Sequence, residues 1–508
     1  MSIVKLSEIY IDKTELLKFL NKKLGTNGKC IAVSHARRFG KSHAAGMIDA
    51  YYSLGSDSSK LFENTKIASD PDYEKYRNKY NVIHLDISSV WDYHKEDLIE
   101  SIEERVCEDF QKIYGDLLNY RRDFYLLIQD IYSLTGIPFV IIIDEWDCVI
   151  RNSHDQALVH KYLQFLHSLF KSEESKSFLA LGYITGILPI KKIKDESALN
   201  NFQEYTMLDS YPITEYYGFT EKEVKDLCKD YSMDFETVKA WYNGYLIDGE
   251  HMYNPNSVSQ ALERHKIDSY WRNTSAFDTI NTFITMNYAG LKDDVMKMLT
   301  GGKVRINTNT FQNDFSIITS KDDALTALIH LGYLGYDADR KKSFIPNYEV
   351  ATAFELALQT GSWKEIAESI SKCDELLDET IDGNAERVAE LIELAPETYT
   401  SILKYNDENV LSCVLTMAYF TAPAYYNVIR EMPSGKGFAD FVFLPRANAG
   451  NRPAMIIELK YNQSAETALK QIKEKRYQGA LSGYQGKILL VGINYDSEKH
   501  HTCMIEEL

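Results

Sequence analysis

Along the first two hundred residues the apolar and polar positions switch repeatedly between two rhythms. Short apolar runs at Lys29–Ser34, Asn81–Asp86, Phe139–Asp144 and Phe178–Thr185 alternate with longer stretches, such as Lys95–Leu118 and His160–Ser172, whose apolar residues return at helical spacing. A run that is apolar at nearly every position predicts a strand buried on both faces, as in a parallel sheet held between two helical layers. The alternation therefore predicts an α/β fold with a doubly wound parallel sheet. After about Asp209 this rhythm fades. Thr220–Trp241 reads as helices, with Thr220 as N-cap and Glu223 three residues on, and is expected to form a helical lid. Asp322–Tyr336 followed by Lys342–Tyr348 predicts a helix and then a hairpin, a small winged-helix-like module. The aromatic turn sequences Trp241–Tyr245 and Tyr253–Ser257 read as packing and turn formation. Near the end, Phe438–Leu444 and Pro453–Tyr461 flank a turn-rich segment and predict an antiparallel pair. The helix Glu466–Tyr477 follows, with Ala465, Ala468, Leu469 and Ile472 on one stripe.

Length and charge sharpen this division. A chain of 508 residues suggests about three domains, and 44% hydrophobic with 26% charged residues excludes disorder for the bulk. No run of 18 uncharged apolar residues occurs, and the first sixteen residues carry charges where a signal peptide requires an apolar stretch, so a cytoplasmic protein with no membrane partner is expected. The 7 cysteines are scattered singly and are expected to be reduced. A net charge of −18 argues against nucleic-acid binding through overall charge. Its distribution is uneven, however: from Glu431 to Leu508 ten Lys and Arg face nine Asp and Glu, whereas from Ser371 to Val410 eleven acids face three bases. The acidic stretch has apolar residues near helical spacing and reads as solvated helices joining two units. The expected boundaries are 1–208 for the α/β domain, 209–350 for lid and winged-helix-like region, 351–400 for the acidic linker and 401–508 for a last domain.

The first strand runs into a basic loop, His35-Ala-Arg-Arg-Phe-Gly40-Lys41-Ser42, and then a helix. This half-matches the phosphate-binding pattern Gly-x-x-x-x-Gly-Lys-Ser, with His35 where the first glycine would stand. Gly40 lets backbone N–H groups approach phosphate oxygens, Lys41 reaches the terminal phosphates, and the Ser42 hydroxyl holds Mg²⁺. The strand Phe139–Asp144 ends in Asp144 and Glu145, at the edge where ligands of open α/β sheets bind. Asp144 suits the Mg²⁺ shell, and Glu145 suits polarising the water that attacks the γ-phosphate. Thr185 ends its own strand with a hydroxyl that either contacts that water or phosphate or serves only as a good strand residue.

In the last domain Glu458 and Lys460 fall on one face of an otherwise apolar strand, a costly placement without a task. Asp440 lies inside the neighbouring apolar run. Together they suit a metal-dependent hydrolase: Asp440 and Glu458 as hard oxygen ligands for Mg²⁺, Lys460 to steer the attacking water. A solvated edge pair would have the same residues.

Tyr10-Ile-Asp12-Lys13-Thr14, Arg37-Arg38-Phe39-Gly40-Lys41-Ser42, Ile143-Asp144-Glu145-Trp-Asp147, Thr185-Gly-Ile-Leu-Pro-Ile and Ser197-Ala-Leu-Asn-Asn-Phe together resemble the bacterial AAA-ATPase-like family that carries a C-terminal PD-(D/E)xK nuclease domain. The resemblance covers nearly the whole chain. It implies ATP as ligand, with Arg38 beside Gly40, Lys41 and Ser42, and a Mg²⁺ ion in the nuclease site that Mn²⁺ replaces. It also implies nucleic acid, DNA before RNA, as partner, and a homo-oligomer for any arginine acting in trans. The nuclease pattern is filled at Gly437, Asp440, Glu458 and Lys460; Gln471 matches a glutamine often found on the following helix, and Glu408 matches by position an acid from the domain's first helix. The expected function is an ATP-regulated, Mg²⁺-dependent nuclease. The alternative is a nucleotide-dependent switch or scaffold whose nuclease-like domain only binds.

Overall fold

The computed structural model describes residues 9–115, 124–153, 155–190, 199–271, 280–283, 285–286, 288–299, 301–311, 318–360, 364–399, 419, 422, 425–434, 437–445, 450–474, 481, 484, 486, 487–496 and 500–508. These fall into two compact units, one of residues 1–231, 243–264 and 305–346, the other of 232–242, 265–304 and 347–508. Among the described residues no helix is long and apolar enough to cross a membrane.

The first unit is built on strands β1 (Cys30–Ser34), β2 (Asn81–Asp86), β3 (Phe139–Asp144), β4 (Leu179–Gly186) and β5 (Gln203–Thr206), all parallel, in the order β2-β3-β4-β1-β5. The inner strands β1, β3 and β4 are buried at every position, while the edge strand β2 alternates buried and exposed residues. Period two divides the inner residues between two cores. Ile31, Val33, Val140, Ile142, Leu181 and Tyr183 face the helix Lys41–Tyr52 and its tyrosines; Ala32, Ile141, Ile143 and Ile184 face the layer of Leu98–Tyr114, Phe124–Thr135 and Gln156–Phe170. This is the doubly wound sheet expected from the apolar runs.

Smaller elements surround its loop edge. A sheet of β6 (Phe219–Thr220), β7 (Tyr245–Ile247) and β8 (Glu250–Tyr253), in the order β6-β8-β7, packs on the helix Glu221–Asp230, which also touches the helix Pro255–Glu263. Thr220 and Glu223 form the expected capping box, and Glu223 also pairs with Lys13 at 2.7 Å, tying the motif near residue 12 to this layer. Gly244 lies at φ +110°, and a Cβ there would overlap the carbonyl oxygen of Pro346. Glycine in the first aromatic turn is thus a packing requirement. The helix there is Lys321–His330, ending before the expected Tyr336, and the hairpin is β10 (Gly335–Asp337) with β11 (Lys342–Phe344), so its first strand begins within the stretch expected as helix; β9 (Val304–Arg305) lies beside β11.

The second unit contains β12 (Tyr426–Ser434), β13 (Gly437–Pro445), β14 (Ala454–Tyr461), β15 (Ile488–Tyr495) and β16 (His501–Glu507), in sequence order. All neighbours are antiparallel except β14 and β15, which are joined by the helix Ala465–Glu474. That helix covers one face through Leu469 and Ile472, packed with Val442, Ile456 and Leu490. The acidic helices Lys364–Ile381 and Ala385–Tyr399 cover the other: Leu376, Leu377, Val388, Leu391 and Ile392 share a core with Phe441, Phe443, Met455 and Ile457. The stretch expected as a solvated connection is solvated on one side only, because its apolar stripe is wide enough to be buried.

Candidate functional site

At the carboxyl edge of the first sheet, β1 runs into the basic loop and the helix begins at Lys41. Gly40 is its N-cap at φ 88°, with open space around the missing Cβ, and Arg38 is the loop's other left-handed residue at φ 66°. Arg38 and Ser42 are exposed, Ser42 in the first helical turn. Lys41 is 5% exposed, and its Nζ donates to the carbonyl oxygens of His35 and Ala36, each at 2.9 Å. Burial holds this ammonium below its ordinary range, while Glu145, Asp147 and Asp144 pull the other way. Both acceptors belong to the loop itself, so the ammonium lies under the loop between β1 and the helix.

Asp144 is buried at the end of β3. Its Oδ1 accepts the Thr185 hydroxyl and the Glu145 N–H (3.1 Å). Glu145 turns the chain at φ 55°. Its Oε2 accepts from Arg151 Nη2 at 2.6 Å, and the same guanidinium donates through Nε to Asp147 Oδ2 at 2.9 Å. Asp147 is fully buried and also receives the N–H groups of Ile187 (3.1 Å) and Leu188 (2.9 Å), just beyond β4. Gly186 makes this closeness possible: a Cβ there would lie 2.6 Å from Trp146 Nε1 and 2.7 Å from Asp147 Oδ1. The loops after β3 and β4 are therefore one hydrogen-bonded body. Lys41, Asp144, Glu145 and Thr185 come together at one sheet edge, and Ser42 and Arg38 flank the loop. Beside Gly40 a cavity of about 440 Å³ is lined by Tyr10, Arg38, His43, Met47, Tyr216 and Phe219 among others, an apolar space of the size that small-molecule sites occupy. Burial, with Asp12 nearby, pushes the Tyr10 phenol up to about 12, so it remains a hydrogen-bond donor. The Asp144 carboxylate and the Ser42 hydroxyl are of the hard oxygen type that fits a phosphate-bound divalent cation.

The roles of Arg151, Asp147 and Gly186 were not apparent from sequence. Only the spacing of Asp147 and Arg151, four apart at the start of a short helix, carried a signal.

In the second unit the ladder between β13 and β14 runs from Phe443↔Met455 to Phe441↔Ile457. Continuing that register sets Asp440 opposite Glu458, and alternation places both with Lys460 on the face covered by the helix Ala465–Glu474. Here the Asp440 carboxylate takes a backbone role, accepting the Leu459 N–H at 2.8 Å. Glu458 is 2% exposed; its Oε1 accepts Lys460 Nζ at 3.1 Å and the amide of Gln471 on the covering helix. Lys460 and Gln471 thus meet on Glu458, and Asp440 is held beside them by its bond to the backbone between Glu458 and Lys460. Glu408 lies outside the described residues. Gly492, paired with Glu458 across β14 and β15, was overlooked in the sequence: a Cβ there would overlap the carbonyl oxygen of Ala465, so its bare backbone lets the helix lie close enough for Gln471 to reach Glu458. Among the described residues no three His, Cys, Asp or Glu side chains cluster as a self-sufficient metal cage. The two carboxylates fit a hard cation that keeps waters and takes substrate oxygens.

Two family models match stretches that contain the residues just described. Residues 1–194 match the family model described as predicted AAA-ATPase, and residues 406–505 match that of the PD-(D/E)XK nuclease superfamily. The N-terminal part of the chain is thus similar to AAA-ATPase-like proteins and its C-terminal part to PD-(D/E)XK nucleases. An uncharacterized protein in the vnfD 5′ region of Azotobacter chroococcum mcd 1 is 24% identical over 274 residues, 52% of this chain and 50% of its own length. The chain therefore spans about half the length of the curated relative it matches. Among solved structures, the Aeropyrum pernix ORC2 protein (ADPNP-ADP complexes) aligns at 10% identity and TM-score 0.33, covering 72% of this chain and 97% of that one. The Aeropyrum pernix ORC1 protein in complex with DNA aligns at 11% and 0.24, covering 86% and 91%.

Proposed function

We propose that the protein is an ATP-regulated, Mg²⁺-dependent nuclease that cuts phosphodiester bonds of nucleic acid, DNA in the first instance. The observation that carries this reading is the meeting of Lys460 and Gln471 on the buried Glu458 carboxylate, with Asp440 on the neighbouring strand holding the Leu459 N–H between Glu458 and Lys460. A buried Glu458 bracketed by a lysine and an amide is expensive to keep for structure alone. Gln471 orients Glu458, and the Lys460 ammonium holds the attacking water and offsets charge that develops on the phosphate oxygens. A bound Mg²⁺, or Mn²⁺ in its place, would be held by Asp440 and Glu458 and would supply Lewis-acid stabilisation of the phosphate.

In the first unit Gly40, Lys41 and Arg38 would receive the phosphates of ATP, and Ser42 and Asp144 its Mg²⁺. The cavity beside Gly40 would take the base and sugar. Glu145 would accept a proton from the attacking water, with Thr185 holding Asp144 in place.

Two substitutions test the two halves. Lys460→Ala should lower cleavage of DNA by at least a hundredfold while nucleic-acid binding persists, measured by cleavage and by filter binding with Mg²⁺ or Mn²⁺. A wild-type chain that binds but never cuts any DNA or RNA substrate, with or without ATP, would replace the nuclease by the scaffold. Lys41→Ala should weaken ATP binding in calorimetry at least tenfold; equal affinity in the two proteins would remove the phosphate-loop assignment.

A further inference from the structure

Position 35, where the general phosphate loop has its first glycine, carries a fully buried histidine. The loop's left-handed residues are Arg38 and Gly40, so backbone strain does not call for glycine at 35. His35 is instead a junction. Its N–H donates to the Gly186 carbonyl at 3.1 Å, one step beyond the β1–β4 ladder. Its own carbonyl is one of the two that hold Lys41. The ring shares a hydrogen bond of 2.9 Å between Nε2 and Ser210 Oγ and lies 5.2 Å from the Tyr217 ring. Ser210 is fixed in turn: its N–H donates to Asp248 Oδ2 at 3.0 Å, and the Thr214 hydroxyl donates to the same oxygen at 2.5 Å. Asp248 belongs to the turn between β7 and β8. Burial, with Lys41 nearby, keeps the imidazole neutral, so it places no second positive charge beside that lysine.

We propose that His35 is a positioning residue of the nucleotide site. Its side chain fastens the loop to the Ser210–Tyr217 segment, and this anchor fixes the carbonyls of residues 35 and 36 from which Lys41 reaches phosphate. The inference rests on the nucleotide-site reading above and deepens it. It reverses the usual expectation for an incomplete phosphate loop: restoring the glycine harms the site. His35→Gly deletes the ring packed on Tyr217, leaves the Ser210 hydroxyl without its partner, and gives the loop freedom that must be lost again when nucleotide binds.

The test is titration of the full chain with Mg·ATP by calorimetry, alongside thermal melting. His35→Gly should weaken ATP about tenfold, equivalent to about 1.4 kcal/mol. Ser210→Ala should weaken it in the same direction, and the double variant should be no worse than His35→Gly alone, because both remove one linkage. His35→Gln, which keeps a polar group for Ser210, should recover part of the loss. ATP affinity in His35→Gly equal to or above wild type, or losses that add in the double variant, would overturn the proposal. So would a fall in melting temperature with unchanged affinity, the mark of a merely structural residue. If His35→Gly fails to fold, Ser210→Ala decides by the same criterion: weakened ATP binding supports the anchor, and unchanged binding overturns it. Lys41→Ala separates the two levels. If it also binds like wild type, the nucleotide site itself falls; if it loses binding while His35→Gly does not, only the anchor falls.

Discussion

Glu145 has a left-handed backbone, and its carboxylate is engaged by an arginine that a second, fully buried carboxylate also holds. Sharing Arg151 with Asp147 fixes where the Glu145 side chain points. Glu145→Gln keeps the shape but loses the basicity, so ATP binding should persist while hydrolysis slows by about a hundredfold or more; phosphate release against calorimetry checks the split. His35 gives this unit a pH response of definite sign. Burial pushes its imidazole down to about 3 from an ordinary value near 6.5. Between those values the unfolded chain binds a proton that the folded chain refuses, so this contribution is complete above about pH 6.5 and is lost as pH falls toward 3. At pH 5 the loss is about 2 kcal/mol relative to neutral pH. Urea unfolding of the first unit at pH 7 and pH 5 should show it, and His35→Gln should reduce the difference.

Elements whose determinants are local were legible in the sequence, and those whose determinants are distant were not. The inner strands announced themselves because β1, β3 and β4 are buried on both faces and so lack polar alternation. The Thr220–Glu223 capping box was legible because both partners lie within one turn. Asp440, Glu458 and Lys460 stood out as charges in apolar strands, and period two placed the last two on one face. By contrast, the acceptor role of Asp147 depends on N–H groups forty residues away, and Gly492 matters only because the helix Ala465–Glu474 lies against it. No spacing rule encodes such encounters. Gly492→Ala tests the second: the added methyl should displace the helix, loosen Gln471 from Glu458 and lower cleavage by at least tenfold, with a loss of stability of about 1–3 kcal/mol from overpacking. Cleavage rates normalised to folded protein distinguish the two effects.

At the scale of the whole molecule the order of strands in space departs from their order in time. β1 carries the proposed nucleotide loop and is made before the sheet's other four strands, yet its neighbours are β4 and β5, and Cys30 pairs with Gly182. At ribosomal speeds of about 5–20 residues per second, β1 waits on the order of ten to thirty seconds for its first sheet partner. Throughout that interval an apolar strand, already joined to its basic loop, remains unpaired. A nascent chain stalled before residue 179 should therefore be sensitive to protease and fail to be retained on immobilised ATP. One stalled well past Thr206, with its whole first sheet outside the exit tunnel, should acquire both protection and retention together. The proposed nucleotide loop is encoded well ahead of the strands that flank it and takes shape only when those late-made neighbours arrive, so under this reading synthesis itself sets the earliest moment at which ATP can act.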